Sequence, residues 1–83
     1  PGLLAAGPGN RKAFSACDDN RARVEWALRT YTAVDGRPLS VELVALLVFE
    51  AGLTLSPAAV VVALAAAEEA GMARAVAGGW LPD

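Results

Sequence analysis

Reactive side chains are scarce in this chain, and their spacing limits what chemistry it can do. There is no histidine among the 83 residues, which removes the commonest general base and the commonest metal ligand. The one cysteine, Cys17, stands beside Asp18 and Asp19, and neighbouring carboxylates raise a thiol's pKa and blunt it as a nucleophile. The adjacent acidic pairs Asp18-Asp19 and Glu68-Glu69 do not form an acid/base dyad, because residues i and i+1 leave a helix on different faces. Gly7-Pro8-Gly9-Asn10-Arg11-Lys12 has the glycines of a phosphate loop but neither its G-x4-G-K-[ST] spacing nor a preceding strand. One cysteine builds no internal disulfide and no cysteine-rich zinc site. The expectation is a non-enzyme without metal or cofactor.

Charge is the next constraint. The formal net charge is −2 with 55% hydrophobic residues, which excludes a disordered polyelectrolyte tail. Up to Arg37 there are six bases (Arg11, Lys12, Arg21, Arg23, Arg29, Arg37) against four acids, whereas from Pro38 onward Arg74 stands against five acids, a balance of −4. Nucleic-acid affinity comes mostly from Lys and Arg at phosphates, so the second half has the wrong sign for it. No apolar run reaches the ~18 residues of a membrane span, and Pro1 to Gly7 has neither the length nor the basic flank of a signal peptide. A single thiol suits a reducing compartment, so a cytoplasmic location is expected, and the Ala, Gly, Val, Arg and Pro usage suggests a bacterial source.

These side chains must be held by a few short elements. Residues 1–16, rich in Gly and Pro, read as a flexible tail or linker, and residues 17–83 as the domain. The first helix is capped by Ser15, Asp18 or Asp19, with Ser15-x-x-Asp18 in the outline of a capping box. Its inward stripe is Val24, Ala27, Leu28, Tyr31 and Val34, and Asp35-Gly36 ends it. Trp26 falls nearly opposite that stripe, where it is either covered by Leu3, Leu4 or Phe14 or left to anchor a partner. Arg37 to Ser40 is a short extended segment. Ser40 caps a second helix ending at Gly52 that is apolar nearly all round, a pattern normally buried nearly all round. Ser56 and Pro57 open a third helix that closes at Gly71, with Val60, Ala63, Leu64 and Ala67 inward. Two short strands around Gly78-Gly79 follow, the first beginning at Met72.

A helix in the frame L-S-P-A-x-V-x-x-x-L-x-x-x-E-E-A-G leading into a hairpin resembles the recognition helix and wing of the winged helix-turn-helix superfamily. The resemblance covers Asp18 to Pro82. It implies a mainly α fold with a small β-hairpin, three helices plus a short wing, in which the segment around Leu39 is the first strand and pairs with the wing. It also implies DNA binding through the outward side of the third helix, where members carry Ser, Thr, Arg, Lys, Gln or Asn.

This chain departs from the superfamily at those positions, which are Val61, Val62, Ala65 and Ala66, with Glu69 the one polar residue. Valine and alanine touch a thymine methyl but supply no bidentate donor, and a carboxylate repels phosphate. β-Branched residues are not selected for helix propensity, and surplus apolar surface marks an interface. The residues therefore point to a protein–protein interaction or homodimerisation module within a larger protein, contacting its partner through Val61, Val62, Ala65, Ala66 and Glu69, with Trp26 as a further anchor. The alternative is DNA binding through the basic first helix and tail, by Arg11, Lys12, Arg21, Arg23 and Arg37, with Arg74 of the wing.

Overall fold

A computed structural model describes residues 14–83. The elements are α1 (Asn20–Asp35), α2 (Val41–Glu50), α3 (Pro57–Glu69), β1 (Ala73–Val76) and β2 (Gly79–Pro82). Three helices and an antiparallel hairpin thus follow one another in the expected order, a mainly α fold with a small wing-like hairpin.

Each helix starts where a short polar side chain replaces the missing backbone partner. Asp19 caps α1 and accepts from the Ala22 N–H at 2.8 Å. Ser40 and Ser56 cap α2 and α3 through Leu43 and Ala59, each at 3.1 Å. Pro57 occupies the first turn of α3, where its missing N–H is no loss. Gly36 ends α1 in the left-handed region, φ 73°, its N–H reaching the Thr32 carbonyl at 2.7 Å. Asp35 Oδ1 then accepts from the Arg37 N–H at 3.0 Å and turns the chain into the extended segment.

That segment contributes one residue to the sheet. Leu39 and Trp80 exchange both backbone hydrogen bonds, each at 2.9 Å, so Leu39 is a minimal third strand against β2, as expected. β1 and β2 pair from Ala73↔Pro82 to Val76↔Gly79. Gly79 has φ 145°, and a side chain there would run into the Leu39 carbonyl, so only glycine allows this close approach.

The core lies between the helices and beneath the sheet. Val24, Ala27, Leu28 and Tyr31 of α1 meet Val44, Leu47 and Val48 of α2, and Val60, Ala63, Leu64 and Ala67 of α3. Leu39 and Ala73 close it from the sheet side, with Trp80 half-buried against it. All four inward residues expected of α3 are buried.

Four expectations are corrected. The tail boundary at residue 16 is too late: Phe14 is helical and buried, and Cys17 N–H donates to its carbonyl at 2.9 Å. Residues 1–13 of that expected tail, Leu3 and Leu4 included, lie outside the described residues. Val34 is exposed, because α1 extends past the end of the core at that turn. The helix α2 is not buried all round: Leu43, Leu46 and Phe49 stay exposed on its outer side. The wing strand starts at Ala73, with Met72 in the preceding turn.

Candidate functional site

The outer side of α3 is set by the register of its core stripe. At about 100° per residue, Val61, Ala65, Val62 and Ala66 cover an arc of about 140° centred opposite the buried stripe. All four are exposed, Val62 at 70% and Val61 at 47%. Glu69 is exposed in the middle of that arc. The structure therefore brings these five sequence-predicted residues onto one surface. Its side chains are aliphatic but for one carboxylate, so it offers no hydrogen-bond donor.

One flank of this surface borders the start of α1. Asp19, Asn20 and Arg21 line a shallow depression with Ala58, Ala59, Val62, Ala63 and Ala66. It holds the N-cap of α1, whose Asp19 already accepts the Ala22 N–H.

Trp26 does not join this surface. It is 5% exposed, with Phe14 edge-on at a centroid distance of 4.9 Å and Tyr31 edge-on at 6.3 Å. Such edge-to-face packing stabilises buried aromatic pairs beyond the area they bury. Trp26 is a core residue, corrected here from partner anchor, and Phe14 is the side chain that covers it.

A second apolar surface was not singled out residue by residue from the sequence. Along α2, Leu43, Leu46 and Phe49 are 39%, 44% and 58% exposed. Glu42 and Glu50 are exposed at the two ends of the same helix. Beside Leu43, a cleft of about 230 Å³ is lined by Tyr31, Asp35, Arg37, Leu39 and Leu47. Burial pushes the Tyr31 hydroxyl above its ordinary pKa, and the Glu50 carboxylate adds to the shift.

Among the described residues, the candidate cations Arg21, Arg23, Arg37 and Arg74 are spread over different elements. Arg21 pairs with Glu25 at 3.2 Å, and Arg29 approaches the same carboxylate at 3.9 Å. Arg23 donates to Asn20 Oδ1 at 2.8 Å. Arg37 follows the far end of α1, a helix of 16 residues and so about 24 Å long. Arg74 is exposed on β1, opposite Leu81. Arg11 and Lys12 lie outside the described residues. Arg21 and Arg37 thus sit at opposite ends of one helix, and three of the five described arginines, Arg21, Arg23 and Arg29, are engaged locally.

Glu25 itself is a feature that sequence reading missed. It is a buried carboxylate with its two arginines four residues to either side. The Arg21-Glu25-Arg29 spacing was the available signal, since i and i+4 share a helix face.

Cys17 is partly buried. Burial is the main cause that raises its thiol pKa, Asp18 and Asp19 add to it, and Arg23 and Arg29 oppose it. The group is held as the neutral thiol, the less nucleophilic form.

Comparison of the chain with protein-family models, with curated proteins and with solved structures gives no significant match.

Proposed function

We propose that this chain is a non-catalytic member of the winged helix-turn-helix superfamily that associates with protein rather than DNA. The contact is the outer side of α3 (Val61, Val62, Ala65, Ala66, with Glu69) together with that of α2 (Leu43, Leu46, Phe49). One observation carries the reading: the side of α3 that would face a major groove is aliphatic and exposed, with a carboxylate at its C-terminal end. Base readout needs donors and acceptors at the groove edge, and exposed contiguous aliphatic surface favours burial against protein. The scattered cations support the same reading, because phosphate neutralisation requires several Lys or Arg along one track. A neutral, partly buried thiol suits a reducing cytoplasm, which is where we place the protein.

The test has two arms. Anisotropy of a labelled mixed-sequence duplex is titrated at about 50 and about 200 mM salt. No binding is expected at either; binding that drops steeply between them overturns the reading in favour of DNA. In parallel, Val62→Arg and Leu46→Arg place a cation in the middle of each apolar surface without touching the core. Loss of association in at least one of these variants, with the helical circular dichroism unchanged, is the expected result.

A further inference from the structure

The outer side of α2 carries charge as well as apolar area, and the two are arranged along a diagonal. At about 100° per residue, Phe49, Leu46 and Leu43 stand about 60° apart, with Leu46 in the centre. Leu43 lies towards the N-terminal end on one flank, and Phe49 towards the C-terminal end on the other. Arg37 lies on the Leu43 flank, since both line the cleft that also holds Tyr31 and Leu47. Glu50 lies on that same flank but at the opposite end of the helix, about 10 Å further along at 1.5 Å per residue. Its effect on the Tyr31 hydroxyl agrees with this placement. One flank of α2 therefore carries the Arg37 guanidinium at its start, with the Asp35 carboxylate turned to the Arg37 backbone N–H beside it, and the Glu50 carboxylate at its end.

Such a flank is complementary to its own copy. A two-fold axis lying in the contact and perpendicular to α2 keeps each flank on its own side and exchanges its ends. Resting on the association reading above, we propose that the partner is a second copy of this chain, docked through α2 in antiparallel fashion. Leu46 meets the partner's Leu46 on the axis, and Arg37 pairs with the partner's Glu50 on either side of it. In this arrangement Glu42 comes beside the partner's Phe49 at the rim, and Asp35, already accepting from the Arg37 N–H, is the one carboxylate on the side the partner's Glu50 approaches. A parallel pairing would leave Arg37 and Glu50 without these contacts.

Three large apolar side chains per copy fall below the ~1,200–2,000 Å² of a standard stable interface, so the dimer is weak and concentration-dependent. Charge pairs at its rim set orientation more than affinity.

The experiment is sedimentation velocity on the 83-residue chain from about 10 to about 500 µM at low salt, where surface charge pairs are least screened. A reversible monomer–dimer equilibrium is expected, lost in Leu46→Arg and retained in Val62→Arg. Arg37→Glu and Glu50→Arg should each weaken dimerisation about tenfold. An equimolar mixture of those two variants should regain it, because the introduced acid of one chain then meets the introduced base of the other. That rescue has no explanation in a merely structural role. A dimer indifferent to both charge reversals but lost in Val62→Arg overturns the α2 geometry and leaves association through α3 standing. A monomer at every concentration overturns the second copy as partner. The DNA titration then shows whether the association reading falls with it.

Discussion

At the scale of single residues, titration behaviour follows from burial. Cys17 and Tyr31 both have pKa values raised above the ordinary 9.0 and 10.0, chiefly because burial disfavours their anions. Their contribution to stability is therefore fully present below those ordinary values and is lost as pH rises through the raised ones. Denaturant midpoints are expected to be flat across neutral pH with respect to these two groups and to fall above about pH 9. A Cys17→Ala, Tyr31→Phe double variant should lack most of the alkaline decline; an unchanged decline would assign it elsewhere. The raised thiol was legible in the sequence from Asp18 and Asp19, although the larger cause, burial, was not. Trp26 shows the opposite limit. The helical wheel placed it opposite the stripe, and only the return of Phe14 across α1 makes that position part of the core.

At the scale of elements, starts and stops were the most legible feature. Ser40, Ser56-Pro57 and Gly36 act through local backbone chemistry, within three or four residues, so sequence alone carries the signal. Burial of a whole helix depends instead on what the rest of the chain can cover. The composition of α2 suggested burial all round, yet among the described residues only two other helices and a hairpin lie against it. The surplus emerges as Leu43, Leu46 and Phe49. The N-terminal boundary failed for a related reason, since a single aromatic at Phe14 has no periodicity to announce it. Its role is testable: Phe14→Ala uncovers Trp26 and should cost about 3 kcal/mol, in the range for truncating a buried aromatic. A shift in the chemical denaturation midpoint reads this. A change well under about 1 kcal/mol would mean that Phe14 is only loosely seated.

At the scale of the whole molecule, the described residues span 30 × 26 × 20 Å, and two hydrogen bonds have a reach out of proportion to their number. Leu39 and Trp80 flank α2, α3 and β1 in the chain, so their mutual pair fastens a long loop with a single clasp. Because the two hydrogen bonds close one ring, the opening that releases one amide is expected to release the other. Solvent deuterium should therefore replace the Leu39 and Trp80 amide protons at rates that correspond to one shared opening free energy. Values differing by more than about 1 kcal/mol would mean that the two hydrogen bonds open separately. Matched values that also equal those of core helix amides such as Leu28 and Leu64 would make the hairpin and the three helices one cooperative unit, whereas matched but lower values would mean that the hairpin peels away on its own.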